Sequence, residues 1–316
     1  MRDLSRRPAA LAAAAALALS AAACASSGSS APSGGTAAAT GTFPASITTA
    51  IGVVHVRSRP TAIVSLSPST TEMLYAIGAG SQVKAVDSNS DYPPRAPKTK
   101  LNGFQPNLEA IVAYKPDLVV VSENAGGLAK HLAAFSIPVL YLPPPTGLSA
   151  VYSELDQLGR ATGHLGQAEQ ENAALRGQIR QVIASAPKHA KPLTYYYELE
   201  QDYYSVTSST FVGSLLAMLG MKSIADTATG AASSGGYPQL SPEFIVKANP
   251  DYVILADTVC CHQDAATVAN RPGWSGVAAV KDGHVIPLND DIASRWGPRI
   301  VDLLRTVAAS ITKGAG

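Results

Sequence analysis

The chain has 316 residues, 46% hydrophobic and 15% charged, with 24 lysines and arginines against 23 acidic residues. That composition excludes a wholly disordered chain and leaves room for two cored domains. Near-neutral charge without a basic stripe excludes nucleic-acid binding by phosphate neutralisation. Three cysteines with no C-x-x-C are too few for a disulfide scaffold or a zinc pattern. After residue 24 no apolar run reaches membrane-spanning length.

Arg2, Arg6 and Arg7 precede an apolar stretch from Ala9 to Leu19, and Ser20, Ala21, Ala22 and Ala23 then run into Cys24. A basic start, a short apolar run and small residues predict a signal peptide over residues 1–23. A small-residue run ending at a cysteine resembles the lipobox of bacterial lipoproteins, which implies lipidation of Cys24. Ala21 stands where that pattern has leucine, and an ordinary secretory signal with an incidental cysteine is the alternative. From Ala25 to about Thr42 the chain is Ser, Gly, Ala, Thr and Pro without a charge. Residues 24–45 are therefore expected to be a lipid-anchored, disordered tether.

From about residue 52 strand and helix patterns alternate. Ile63-Val64-Ser65-Leu66 is a β-branched run closed by Ser67-Pro68-Ser69, and Met73, Leu74 and Ile77 then share a helix face that stops at Gly78. Strands are expected at residues 83–86, 118–121 and 139–142, with a helix through Leu128 and Leu132. Leu148, Val151, Tyr152 and Leu155 fall at helical spacing, and Thr162-Gly163 interrupts them. Leu165, Ala168, Leu175, Ile179, Val182 and Ile183 continue the helical pattern to Pro187. Alternation resumes with a strand at residues 193–197 and a helix through Phe211, Leu215, Leu216, Met218 and Leu219. A strand at 253–255 follows, and then a last helix carrying Ile300, Leu303, Leu304, Val307 and Ile311. This order implies parallel sheets with right-handed crossovers.

Asn107-Leu108-Glu109-Ala110-Ile111-Val112 leads into Lys115-Pro116-Asp117-Leu118-Val119. Ser241-Pro242-Glu243-Phe244-Ile245-Val246 leads likewise into Asn249-Pro250-Asp251-Tyr252-Val253. Both read E-x-I-V-x-x-x-P-D-x-V, a short helix, a Pro-Asp turn and a buried strand, once on each side of residues 148–187. Repeated units indicate two similar lobes. The expected fold is α/β: lobes at 46–147 and 188–316 with parallel-type sheets, connecting helices at 148–187 that include a long rigid helix, and a ligand cleft between the lobes.

The lipoprotein-like start, the paired segments and the helical connection resemble the periplasmic-binding proteins of ABC importers for cobalamin, ferric siderophores and haem. The likeness covers roughly residues 52–313. It includes Ser65-Leu66-Ser67-Pro68-Ser69-Thr70-Thr71-Glu72, Asp91-Tyr92-Pro93-Pro94 and Arg295-Trp296-Gly297-Pro298-Arg299. Asp-Tyr-Pro-Pro is most similar to the cobalamin-binding branch. The resemblance implies a cleft with little hinge closure and a glutamate on each lobe, Glu109 and Glu243, docking into basic pockets of the permease. Each of these glutamates also opens a helix, where the macrodipole favours a carboxylate.

In open α/β sheets ligands sit beyond the carboxyl ends of the strands. In the first lobe those loops hold Ser67, Ser69, Asp91, Tyr92, Phe104, Gln105, Glu123 and Asn124. In the second they hold Tyr203, Tyr204, Phe211, Tyr237, Asp257, Asp290, Arg295 and Trp296. The residues expected to bind ligand are Tyr92, Phe104, Gln105, Asn124, Tyr203, Phe211, Tyr237, Arg295 and Trp296. Tyrosine suits half-wet surfaces that grip a broad ligand. Tyr195 and Tyr197 are expected on a core face instead, and Arg299 in a structural role.

Cys260 and Cys261 are adjacent at the end of a strand. A vicinal disulfide, free thiols and, with His262, a metal contact all remain open for them. His55, His131, His164, His189, His262 and His284 do not take the places used by zinc or manganese receptors of similar build. No nucleophile elbow, P-loop or H-E-x-x-H pattern occurs, so no enzyme activity is expected, an exported enzyme being the outlying alternative.

The expected protein is a monomer outside the cell membrane, lipid-anchored, with no cofactor, no metal and no nucleic acid. It would capture a corrinoid for an ABC permease and its ATPase, with a ferric siderophore or haem as the alternative ligand. Cys24→Ala is expected to move the protein from membrane to soluble fractions, because acyl chains supply the attachment. Fractionation showing unchanged membrane partitioning would contradict it.

Overall fold

The computed structural model describes residues 41–314. Cys24, the signal segment and the tether as far as residue 40 lie outside them. A hairpin of β1 (Ala45–Thr49) and β2 (Gly52–Val56) comes first. Phe43 and Ala45 pack against the main core, so the folded chain begins earlier than the tether boundary at residue 45 implies.

The first lobe contains β3 (Ile63–Ser65), α1 (Pro68–Ala76), β4 (Val83–Val86), α2 (Leu108–Val112), β5 (Leu118–Val121), α3 (Leu128–Ala133) and β6 (Val139–Tyr141). Its strands are all parallel, in the order β4-β3-β5-β6. Two helices follow, α4 (Leu148–Thr162) and α5 (Leu165–Ser185). The second lobe begins with β7 (Leu193–Glu198), α6 (Phe211–Ala217), β8 (Met221–Ser223), α7 (Pro242–Ala248) and β9 (Tyr252–Leu255). It continues with α8 (Ala265–Ala269), α9 (Ala278–Lys281), β10 (Val285–Pro287), α10 (Asp290–Ser294) and α11 (Ile300–Gly314). Its strand order, β8-β7-β9-β10, is that of the first lobe, again all parallel.

The matching segments do the same work in both lobes. Lys115 and Asn249, before the prolines, take left-handed φ values of 50° and 48° that end each helix. Asp117 then accepts from the Thr61 and Ala62 amides at 2.7 and 3.0 Å, and Asp251 from the Thr194 amide at 2.7 Å. Each aspartate thereby ties the entry of its own strand to that of the neighbouring strand, β3 or β7.

The strands alternate between two cores, as the period of two demands. Ile63, Leu118, Val120, Tyr195, Tyr197 and Ile254 face one shared core, while Val64, Val119 and Val121, and separately Tyr196, Val253 and Leu255, face a smaller core in their own lobe. The expectation that Tyr195 and Tyr197 are core residues matches their full burial. The shared core runs through Val151, Leu155 and Leu158 of α4 and Leu175, Ile179 and Val182 of α5 to Leu303, Leu304 and Val307 of α11. One continuous apolar layer thus joins the lobes.

The connection is a helical hairpin rather than one rod. Gly163, at φ 77°, closes α4 in the left-handed conformation that favours glycine. α5 then folds back along α4, and the buried Asn172 amide donates to Tyr152 O and Asp156 Oδ1 at 2.9 and 2.8 Å. With 21 residues, α5 is the long member, about 31 Å at 1.5 Å per residue.

Candidate functional site: an interlobe cleft

Both sheets change winding direction between their central strands, and that is where an open α/β sheet forms a crevice. In the first lobe the crevice is open. A cavity of about 390 Å³ is lined by Ser67, Pro68 and Ser69 after β3, Asn89 and Phe104 after β4, Ser122 and Glu123 after β5, and Pro144 after β6. The second lobe adds only Asp291, Ser294, Arg295 and Trp296. A larger cavity, about 780 Å³, lies between β2 and the α3–β6 side, with Asp117 in its wall. It is at the amino ends of the strands, away from the converging loops.

In the second lobe the equivalent crevice is filled by the protein itself. Glu198, the last residue of β7, accepts both terminal nitrogens of Arg271 at 2.5 and 2.6 Å, and Arg271 also donates to Gln263 Oε1 at 2.7 Å. Asp257, just beyond β9, is fully buried with neither oxygen hydrogen-bonded among the described residues. Burial, and then the nearby Glu198, push its carboxyl up to about 7. Arg271 can neutralise only one of the two carboxylates.

The residues expected to bind ligand divide accordingly. Trp296, Phe104 and Arg295 line the cavity. Tyr92 stands 42% exposed on the neighbouring loop, and Tyr237, 44% exposed, is on the second lobe. Tyr203, half-buried on the second lobe, stacks on Trp274 with centroids 6.2 Å apart and holds φ 70°. Phe211 begins α6 and packs on the shared core. Asn124 accepts from the Ala129 amide at 2.9 Å, bracing the turn into α3, and exposed Gln105 is outside the cavity wall.

Arg295 lines the cavity from within an ion-pair network. Its guanidinium, 8% exposed, reaches Glu72 at 3.0 Å, Asp91 at 2.8 Å and Asp291 at 2.5 Å, and donates to Asn89 O at 3.0 Å. Burial alone would raise the Asp91 carboxyl, but Arg295 holds it below its ordinary range. Arg299 binds Glu72 in bidentate fashion, Nε to Oε2 at 2.9 Å and a terminal nitrogen to Oε1 at 2.5 Å. Glu72 therefore holds two arginines from the opposite lobe. Glu72 belongs to the quoted Ser65–Glu72 motif, yet nothing in its local sequence marks the partner.

Trp296 joins the cleft to the connecting hairpin. Its amide donates to Ser69 Oγ at 3.2 Å, and its indole N–H lies beside Glu154 of α4 without completing a hydrogen bond. Gly297 follows because the chain passes α1 closely: a Cβ there would lie 3.2 Å from Glu72 Oε2.

Cys260 and Cys261 carry free thiols in the structure. Asp290 pins their loop by accepting from the Val259 and Cys260 amides at 2.9 and 2.7 Å. Desolvation, with Cys261 and Asp290 adding to it, pushes the Cys260 thiol up to about 12. Among the described residues no three His, Cys, Asp or Glu side chains converge on a metal position.

Glu109 and Glu243 are exposed at the second positions of α2 and α7. The caps come from Asn107, which accepts from the Ala110 amide at 2.9 Å, and Ser241, which accepts from the Phe244 amide at 3.1 Å. Both glutamates sit in the first turn of their helices, where the macrodipole favours them, and both are exposed.

A family model described as periplasmic binding protein matches residues 63–292, most of both lobes. The chain belongs to that family. Its members are transport components rather than enzymes, and extracytoplasmic. An uncharacterized ABC transporter substrate-binding lipoprotein of Bacillus subtilis is 31% identical over 279 residues, 85% of this chain and 86% of its own. A vitamin B12-binding protein of Pectobacterium atrosepticum is 30% identical over 80% of this chain and 89% of its own. Among solved structures, the periplasmic heme-binding protein of Roseiflexus sp. superposes with a TM-score of 0.69 at 24% identity. It spans 81% of this chain and all of that one, a likeness of fold alone.

Glu154 gives a pH signature. Burial pushes its carboxyl up to about 8 from an ordinary 4.5, against the easing effect of the Trp296 indole. Between those values the folded chain holds a proton that the unfolded chain has released, so stability falls as pH rises through the window. Glu154→Gln is expected to stabilise the protein by on the order of 1–3 kcal/mol at pH 8.5 and to change little at pH 4. Thermal melts showing an equal change at both pH values would contradict the proton assignment.

Proposed function

We propose that this chain captures a corrinoid, of the cobalamin or cobinamide kind, outside the cell membrane and delivers it to the permease of an ABC importer. The observation that carries the choice of ligand is electrostatic. Arg295 is the one basic residue lining the cavity, and carboxylates surround it. A ferric chelate or a haem carrying carboxylates would meet Glu123 and Asp291, with no unpaired cation in the lining among the described residues. A neutral, amide-fringed corrinoid asks only for apolar faces and hydrogen bonds.

The exposed rings supply those faces. Tyr92 and Phe104 of the first lobe and Tyr204 and Tyr237 of the second are 42, 66, 40 and 44% exposed on carboxyl-end loops. The cavity takes one edge of a broad plate, and the rings extend the contact beyond it. The vitamin B12-binding relative supports the same ligand class.

The pair Glu109 and Glu243 supports a docking role. They occupy equivalent positions of the two repeats, exposed and uncommitted, so one permease can meet both lobes at once. The lipoprotein relative supports anchoring through Cys24.

Tyr92→Ala and Trp296→Ala are each expected to weaken corrinoid binding by roughly 1–3 kcal/mol. Calorimetry with cyanocobalamin, cobinamide and a panel of ferric siderophores and haem tests this. Tight binding of an anionic chelate with no corrinoid heat would overturn the ligand assignment. Glu109→Lys combined with Glu243→Lys should abolish uptake while leaving affinity within a factor of a few, because like charges would oppose at the permease surface. A parallel loss of ligand affinity would place these glutamates in the fold or the site.

A further inference from the structure

The aromatic face of the first lobe is braced from behind by the second. The Arg299 guanidinium carbon lies 4.1 Å from the centroid of the Tyr92 ring. The same guanidinium is fixed by its two hydrogen bonds to Glu72, whose side chain is almost fully buried in α1. Carboxylate and ring therefore meet the same guanidinium, while Tyr92 remains 42% exposed. The backbone leading to Tyr92 is held by the other arginine, through Asn89 O at 3.0 Å and Asp91 Oδ1 at 2.8 Å.

We infer that Arg299 is the positioning residue for the ligand-facing ring of Tyr92. This inference rests on the corrinoid proposal for the identity of the ligand, while the contact it describes exists without one. An exposed tyrosine on a loop would sample several rotamers, and freezing it on binding costs affinity. A cation seated under the ring selects one orientation beforehand, because the ring's negative face attracts it. Arginine suits this better than lysine, since its plane stacks on the ring while its fork bonds the carboxylate. Replacing Arg299 does not leave Glu72 alone, because Arg295 still reaches Oε1 at 3.0 Å. The variants are thus expected to fold.

The test uses the purified full chain and two readouts. In the first, the protein carries 3-fluorotyrosine, and Tyr92→Phe assigns the Tyr92 resonance by fluorine NMR. Arg299→Met keeps the aliphatic stem, and it should move that resonance toward the position of a solvent-averaged tyrosine. In the second, calorimetry with cyanocobalamin should show Arg299→Met weakening binding about five- to tenfold in the native background and less than about twofold beside Tyr92→Ala. Arg299→Lys, which keeps the charge on Glu72, should fall between native and Met. Equal losses in both backgrounds, or a Tyr92 resonance that does not move, overturn the assignment. If the native chain binds no cyanocobalamin, the corrinoid proposal fails by itself, and the fluorine resonance alone decides whether Arg299 positions the ring.

Discussion

One buried carboxylate sets the relation between the two lobes. Glu72 is fixed on α1 of the first lobe, and both of its guanidinium partners come from the segment that returns from the second lobe to begin the last helix. A buried ion pair is weak evidence for stability, because desolvation cancels much of its attraction. Its geometry is demanding, however. Removing the carboxylate would leave two largely buried cations facing each other, so the lobes are held at the one separation that satisfies the fork. Gly297 permits that separation, since a side chain there would press against Glu72.

The apolar layer works in the same direction. Because one core is continuous from the first sheet through the helical hairpin to α11 and the second sheet, no plane between the lobes lacks packing. Interiors of this kind are dense and resist gradual deformation. The cleft is consequently bounded by packed elements on both sides, with Ser67, Ser69 and Trp296 in its lining.

The two lobes share a topology and a repeated segment but differ in what they do with the crevice. In the first, small and polar residues leave it open. In the second, Glu198, Arg271, Gln263 and Asp257 close it, and burial, then the nearby Glu198, push the Asp257 carboxyl up to about 7. The same strand order thus yields one wall with a site and one that is mostly structure. The second lobe reaches the cavity through the short α10 and the residues after it.

What the sequence determined by itself was local: the strands at residues 83–86 and 118–121, the break at Thr162-Gly163, the core tyrosines, and the doubled E-x-I-V-x-x-x-P-D-x-V segment. Each rests on periodicity or turn chemistry that acts within a dozen residues, and so leaves a pattern along the chain. β8 and β10, broken by Lys222 and Pro287, lack the apolar run that makes the equally short β3 and β6 legible. The tertiary structure alone decided which candidate residues line the cleft. The three carboxylates that meet Arg295 and the indole that stacks on Tyr203 have no local signature in the chain. Glu72 and Arg299 are 227 residues apart, and nothing near either names the other. Charge pairing across a cleft depends on distance in space, which only the folded chain supplies.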